Sequence, residues 1–356
     1  MQFEDPVKLD TLMSIKTKIR DRVADILYLA KLTSENWRSR GRFSIVTFHR
    51  VLPETERQAY PFPGLVVTPE EFNAFLTYFT EHFDCGTLAT QHQRYISGEI
   101  TSRPLLAITF DDGQYDNYVN ARPILALHQT KATFFIPVEA VEHQELLWHD
   151  RLGFAILTLR QQAVGGHEKL MRILTSAGLF SNGSHGHLGG IVETAKSLSL
   201  NMRLDLIAKL ENALDMPHTP EFARLMTFDE ITRLASDGHE IGSHSMSHCL
   251  MPECDDQSLI YELGESRRVL QAHVGQPIES FCYPNGNSDE RTSRAVAKAG
   301  YHRAVTTTWG NNDQNGDQFQ LRRNNMDARY VNDSNGNLIP AVLAFRMSGF
   351  YPGLYR

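Results

Sequence analysis

An α/β fold, with a parallel sheet or an α/β barrel, is what the sequence predicts. Short β-rich runs alternate with helical stretches along most of the chain. The run LLAITF is nearly all apolar, as in a strand buried on both faces rather than one. With 356 residues, 41% of them hydrophobic and 22% charged, the chain is long enough to bury a core of that kind.

The strands expected are FSIVTFH (43–49), CGTL (85–88), LLAITFD (105–111), ATFFIPV (132–138), HEIGSHS (239–245), SFCYP (280–284), RAVTTTW (303–309) and QLRRNNM (320–326). Helices fill the gaps. In TFDEITRLASDGHEIGSH, Thr227 and Glu230 have the spacing of a capping box, Leu234 falls on the apolar face, and Gly238 ends the helix before a strand. A second helix runs from Ser288 as N-cap to Gly300. Residues 145–225 break the rhythm with helical stretches around SNGSHGHLGG, and read as a helical insertion between two core strands. With no repeat or low-complexity linker, the expected organisation is an amphipathic helical segment at 1–42, then one domain at 43–356 carrying the insertion. The aromatic tail SGFYPGLYR is expected to pack rather than hang free.

A formal net charge of −7 gives no support to nucleic-acid binding. The four cysteines lack paired CxxC spacing and are sparse for a disulfide framework, so a reducing, cytoplasmic setting is the simpler expectation. The first twenty residues hold no secretory h-region, and no stretch is long and apolar enough to span a bilayer. Residues 8–42 nevertheless carry nine Lys/Arg against four Asp/Glu, with Leu12, Ile15, Ile19, Val23, Ile26 and Leu27 at helical spacing. Peripheral contact with an anionic membrane through residues 8–40 is one reading, and packing on the chain's own domain is the other.

TFDDG (109–113) places two carboxylates and a glycine at the end of an apolar strand. Adjacent buried carboxylates repel unless a cation or proton is near; the plainer reading is an Asp-rich turn that caps a helix. HSMSH (244–248) supplies two histidines at another strand end, and Ser245 stands where a metalloprotease helix would have its Glu. In α/β barrels, C-terminal strand ends converge on one mouth. Two imidazoles and one carboxylate there suit a divalent metal, zinc first by ligand type, and leave a second carboxylate to take a proton.

TFDDG, HSMSH and FCYPNG (281–286), in that order on those strands, resemble the polysaccharide deacetylases of the NodB-homology class, carbohydrate esterase family four. The core resemblance spans about residues 103–310, with VTFHRVLP (46–53) and LRR (321–323) similar to flanking features of one subgroup. It implies a distorted (β/α)7 barrel and metal-dependent removal of N-acetyl, less often O-acetyl, groups from sugars. Residue by residue, it implies Asp111 as general base and Asp112, His244 and His248 as metal ligands. An oxyanion donor is expected within Tyr283, Pro284, Asn285 and Gly286. Cys282 and Asn285 depart from the family's usual third motif, and its Leu-x-x-His general acid is missing. His49, at the end of the first strand, is the candidate proton donor, and Arg323 the candidate partner of Asp111. Trp309 and Tyr283 are candidates to stack on a sugar ring. His149 and Asp150 are candidates to line the cleft, and His185 and His187 fall in a Gly/Ser-rich loop.

The expected function is thus a metal-dependent hydrolase acting on N-acetylated amino sugars of a glycan. Two alternatives stay open: a deformylase or deacetylase of a lipid- or nucleotide-linked sugar, and a catalytically weak carbohydrate-binding protein of the same fold.

Overall fold

A computed structural model describes residues 20–33, 42–162, 164–179, 188–214 and 219–348. The strands in chain order are β1 (Arg42–Phe48), β2 (Arg50–Val51), β3 (Val66–Val67), β4 (Asp84–Gly86), β5 (Leu105–Phe110), β6 (Thr133–Ile136), β7 (Glu240–Ser243), β8 (Ser280–Cys282), β9 (Arg303–Trp309), β10 (Asn312–Asp313) and β11 (Leu321–Asn325). Seven of them pair in parallel in the order β1, β11, β9, β8, β7, β6, β5 and back to β1, closing an α/β barrel. The barrel is distorted at its base. Leu105–Ala107 of β5 pair with β4, and only Thr109 and Phe110 pair with β6. Likewise Arg42 and Phe43 pair antiparallel with β10 before Val46 and Thr47 meet β11.

All eight expected runs contain a strand; RAVTTTW coincides with β9, and the other seven have shifted ends. CGTL keeps only its first two residues in β4, because Thr87 instead caps the helix Leu88–Ile96 by accepting from the Thr90 N–H. β7 stops at Ser243, two residues early, and Ser245 lies in the left-handed region at φ 66°. The capping box at Thr227 and Glu230 is present on the helix Phe228–Ser236. The helix Glu290–Lys298 is capped by Asp289 rather than Ser288, since it is the Asp289 carboxylate that accepts from the Thr292 N–H, at 2.7 Å.

Period-two alternation explains how one set of strands makes both a core and a site. Phe43, Ile45, Leu105, Ala107, Phe135, Cys282, Val305 and Leu321 form a single apolar cluster, joined by Leu88 and Tyr95. Their neighbours Val46, Phe48, Leu106, Ile108, Phe110, Phe134, Ile136 and Phe281 belong to the larger cluster under the outer helices. The inner series continues toward the C-terminal ends as Thr47 and His49, Asp111, Thr307, and Arg323 and Asn325, all of which line the cleft. Apolar residues therefore fill the base, and polar residues of the same parity open at the top.

Between β6 and β7 the helices Trp148–Gln161, Gly166–Ser176, Leu188–Ala195 and Leu200–Asn212 share an apolar core of their own, including Leu152, Ile156, Leu159, Leu170, Ile191, Ile207 and Leu210. A buried polar contact ties this group to the barrel, Tyr60 donating to Asp150 at 2.7 Å; beside it, within the barrel, Arg50 donates to Asp116 at 2.9 and 3.0 Å. Gly153 lets the first of these helices approach closely, because a Cβ there would collide with Pro61 and Phe62. Residues 20–29 are helical, with Ala24 buried and Ile26 and Leu29 exposed. Residues 1–19 and 34–41 of the expected N-terminal segment, His185, His187 and all of the tail beyond Ser348 lie outside the described residues. Among the described residues no helix is long and apolar enough to cross a membrane.

Candidate metal centre

The residues of TFDDG part company at the end of β5. Asp112 adopts φ 73° and Gly113 φ 63°, so the chain turns sharply through two left-handed residues, the first of which has a Cβ and is strained there. Asp111 remains over the barrel, and Asp112 faces the histidines. His244 follows β7 directly and is held by its N–H to Ile136 O at 2.9 Å. His248 ends the next turn at φ 55°, its N–H donating to Ser245 Oγ at 3.0 Å. Glu262 fixes that turn by accepting from the N–H groups of Met246 and Ser247 at 2.9 and 3.0 Å.

Asp112 Oδ1 lies 3.4 Å from His244 Nε2 and 3.3 Å from His248 Nε2, and all three residues are buried. Tetrahedral ligation at about 2.1 Å sets neighbouring donors about 3.4 Å apart, so the spacing fits a divalent ion such as zinc. The tautomers fit as well: His244 Nδ1 pairs with the Cys282 carbonyl at 2.7 Å, which leaves Nε2 to face the centre. Burial pulls the His248 imidazole down to about 4, so it is neutral and its lone pair is available. A second donor group, Asp111, His244 and Cys282, is also within ligating distance. It suits a cation less well, because Arg323 already lies against both Asp111 and Cys282 Sγ, the latter at 3.3 Å. Burial pushes the Cys282 thiol up, which leaves it inert as a nucleophile.

Asp111 is the other half of the site. Burial alone would raise its carboxyl, but Arg323 donates from Nη1 and Nη2 to its two oxygens, each at 2.7 Å, and holds it below the usual carboxylate range. Arg323 is itself oriented by Thr306 O at 2.8 Å and Thr47 Oγ1 at 2.9 Å. His49 Nε2 stands 3.9 Å from Asp111 Oδ2. The insertion adds His149, whose Nε2 lies 4.0 Å from Asp112 Oδ2 and 3.7 Å from Asp150 Oδ1, and has no hydrogen-bond partner.

A cleft of about 440 Å3 opens on these groups, with Phe62, Leu65, Val192 and Lys196 on its walls. The segment expected to supply oxyanion donors is only partly suited to it. The Tyr283 N–H is taken by Val305 O at 3.2 Å, and Pro284 has none to give. Asn285 lines the cleft with a buried, unpartnered Nδ2. Two expectations are corrected. Tyr283 is fully buried, edge-on to Phe281 at 5.2 Å, because Cys282 takes the inward position and turns its neighbours outward. Trp309 packs beneath the Arg346 guanidinium at 4.7 Å and does not line the cleft. His302 pairs with Glu279 at the surface, away from the site. Thr47, Thr307 and Asn325 were legible by parity alone, whereas Val192 and Lys196 carry no sequence signal that marks them.

A closed seven-stranded parallel barrel with Asp, Asp, His and His at its C-terminal mouth defines a class of (β/α)7 barrel with a candidate metal-ligating centre. The profile of the polysaccharide deacetylase family matches residues 98–196 and 215–304, more than half of the chain, and the chain belongs to that family. Its fold resembles the Streptococcus pyogenes deacetylase PplD, solved in complex with acetate, at 17% identity and a TM-score of 0.57 over 86% of this chain and 98% of that one. It also resembles BC0361, a polysaccharide deacetylase from Bacillus cereus, at 16% identity and a TM-score of 0.51 over 80% of this chain and 65% of that one. In sequence it matches YxkH of Bacillus subtilis, named for the same family, at 26% identity over 98 residues. That match spans 28% of this chain and about a third, 35%, of YxkH.

Proposed function

We propose that the chain is a metal-dependent deacetylase that hydrolyses N-acetyl groups on amino sugars of a glycan. The observation that carries the proposal is the pairing of two unlike carboxylates in one cleft: Asp112 beside two imidazole nitrogens, and Asp111 locked ionised by Arg323. A simple binding site has no need of the second. Asp112, His244 and His248 would hold the ion, which when bound acidifies water and polarises the scissile carbonyl. The Asp111 carboxylate takes the proton from the attacking water, since Arg323 keeps it unprotonated near neutral pH. Asn285 Nδ2 supplies a donor to the oxygen on which negative charge develops. His49, whose Nε2 stands 3.9 Å from Asp111 Oδ2, gives a proton to the leaving amine, so that amide and water become amine and acetate.

The acetate in the PplD structure and the deacetylase names of the relatives support an acyl substrate of this type. The cleft's mixed walls, apolar Phe62, Leu65 and Val192 with polar Asn285, Asn325 and Lys196, suit a sugar's apolar face and hydroxyl edge. The test is acetate release from a panel of N-acetylated amino-sugar oligomers by wild type and Asp111→Asn. The variant is expected to retain metal and lose roughly a hundredfold or more in turnover. Near-normal turnover by the variant would refute the base assignment, and no release from any oligomer would refute the substrate class.

A further inference from the structure

The turn that carries His248 runs on into a pair of thiols. Cys249 and Cys254 bracket the short helical turn Met251–Glu253, and their Sγ atoms stand 3.1 Å apart. Both side chains are half-buried and neither lines the cleft, so the chemistry above makes no use of them. The backbone on each side is held in place. Upstream, Glu262 accepts from Met246, Ser247 and the Ser247 hydroxyl. Downstream, Arg291 donates to the Pro252 and Cys254 carbonyls at 3.2 and 2.7 Å, and Asp255 caps the helix Asp256–Val274 by accepting from the Ser258 N–H at 2.7 Å. Segment 246–254 is thus pinned at both ends, with the two sulfurs facing each other across the gap. A covalent S–S bond is about 2.05 Å long, so closure needs a movement of about 1 Å.

We propose that Cys249 and Cys254 are a reversible dithiol–disulfide pair that locks the turn following His248. The oxidant is a low-molecular-weight disulfide. One cysteine thiolate attacks it, forming a mixed disulfide and expelling one small thiolate. The second cysteine thiolate then attacks the protein sulfur of that mixed disulfide, forming the Cys249–Cys254 bond and expelling the other. The two cysteines lose two protons and two electrons, and the oxidant is recovered as two small thiols.

The full chain, incubated with oxidised or reduced glutathione, provides the test, and neither readout depends on deacetylase activity. Thiols titrated after denaturation are expected to fall from four to two per chain, with the loss mapped to Cys249 and Cys254 and the intact mass lower by about 2 Da. Backbone hydrogen exchange across residues 246–256 is expected to slow roughly tenfold in the oxidised protein, as a closed loop of this size restricts opening. Cys249→Ser and Cys254→Ser each should show neither effect and instead take up one glutathione. Four thiols remaining, loss mapped to Cys85 or Cys282, or a persistent glutathione adduct on the wild type would overturn the pairing. A bridge that forms without slowing exchange would overturn the lock.

Discussion

Replacing Arg323 by Met removes a guanidinium of similar bulk and leaves Asp111 facing the cleft with its cation gone. The wild-type pair has two charge-assisted bonds of 2.7 Å, and Asp111 is 3% exposed. Breaking a buried pair of that quality costs about 3–5 kcal/mol, because the carboxylate left behind is neither hydrated nor paired. At about 1.4 kcal/mol per pH unit, that cost is relieved by a rise of roughly 2–4 units in the Asp111 carboxyl. The sign follows from burial: with Arg323 present the carboxyl sits below its usual value, and without it desolvation alone pushes it up. The acid limb of kcat/KM for acetate release should therefore move up by about 2–4 pH units in Arg323→Met, with activity partly recovered at alkaline pH. Arg323→Lys, with one point charge in place of a fork, should fall between. Zinc content measured on the same samples separates loss of the base from loss of the centre. An acid limb at the wild-type position in a folded, metal-loaded Arg323→Met protein would refute the coupling.

If His49 protonates the leaving amine, His49→Gln should slow amide substrates by about a hundredfold, yet leave activated ester substrates, whose leaving groups need no proton, within a few fold. Equal losses on both would assign it another role. Away from the site, burial holds the His92 and His239 imidazoles down at about 4, and His239 Nδ1 accepts from the Ala132 N–H at 3.1 Å, so the fold accepts only their neutral forms. Their contribution to stability is complete above the unfolded value near 6.5 and is lost as pH falls toward 4, at about 3 kcal/mol per histidine. Urea midpoints at pH 7 and pH 4.5 measure it, and His239→Asn should flatten the dependence; an unchanged slope in the variant would contradict the assignment.

The barrel was legible because its strands are buried on both faces and say so in their composition. LLAITF is buried at all six positions, and TFFI at all four. Asp111, Asp112, His244 and His248 stood out because charged and imidazole groups at the ends of such strands have no apolar reason to be there. Tyr283 misled because an aromatic beside a motif invites a substrate role, whereas alternation from Cys282 turns it into the outer core. Trp309 lies at the end of β9, where its packing against Arg346 depends on a helix more than thirty residues further along. WHDRL (148–152) marks His149 in the sequence, but Val192 and Lys196 meet the cleft only through long-range folding of the insertion, which no local spacing encodes. The end of β4 moved because Thr87 caps the next helix, and that of β7 because Ser245 leaves the extended region.

The decisive measurement is zinc stoichiometry and acetate release on the same protein, stripped with chelator and then restored with one equivalent of metal. One zinc per chain should bind, acetate release should vanish on stripping and return on restoration, and Asp112→Ala, His244→Ala and His248→Ala should each lose both. Stoichiometric acetate release from the stripped protein, or full activity in those three variants, would contradict a catalytic centre built on Asp112, His244 and His248.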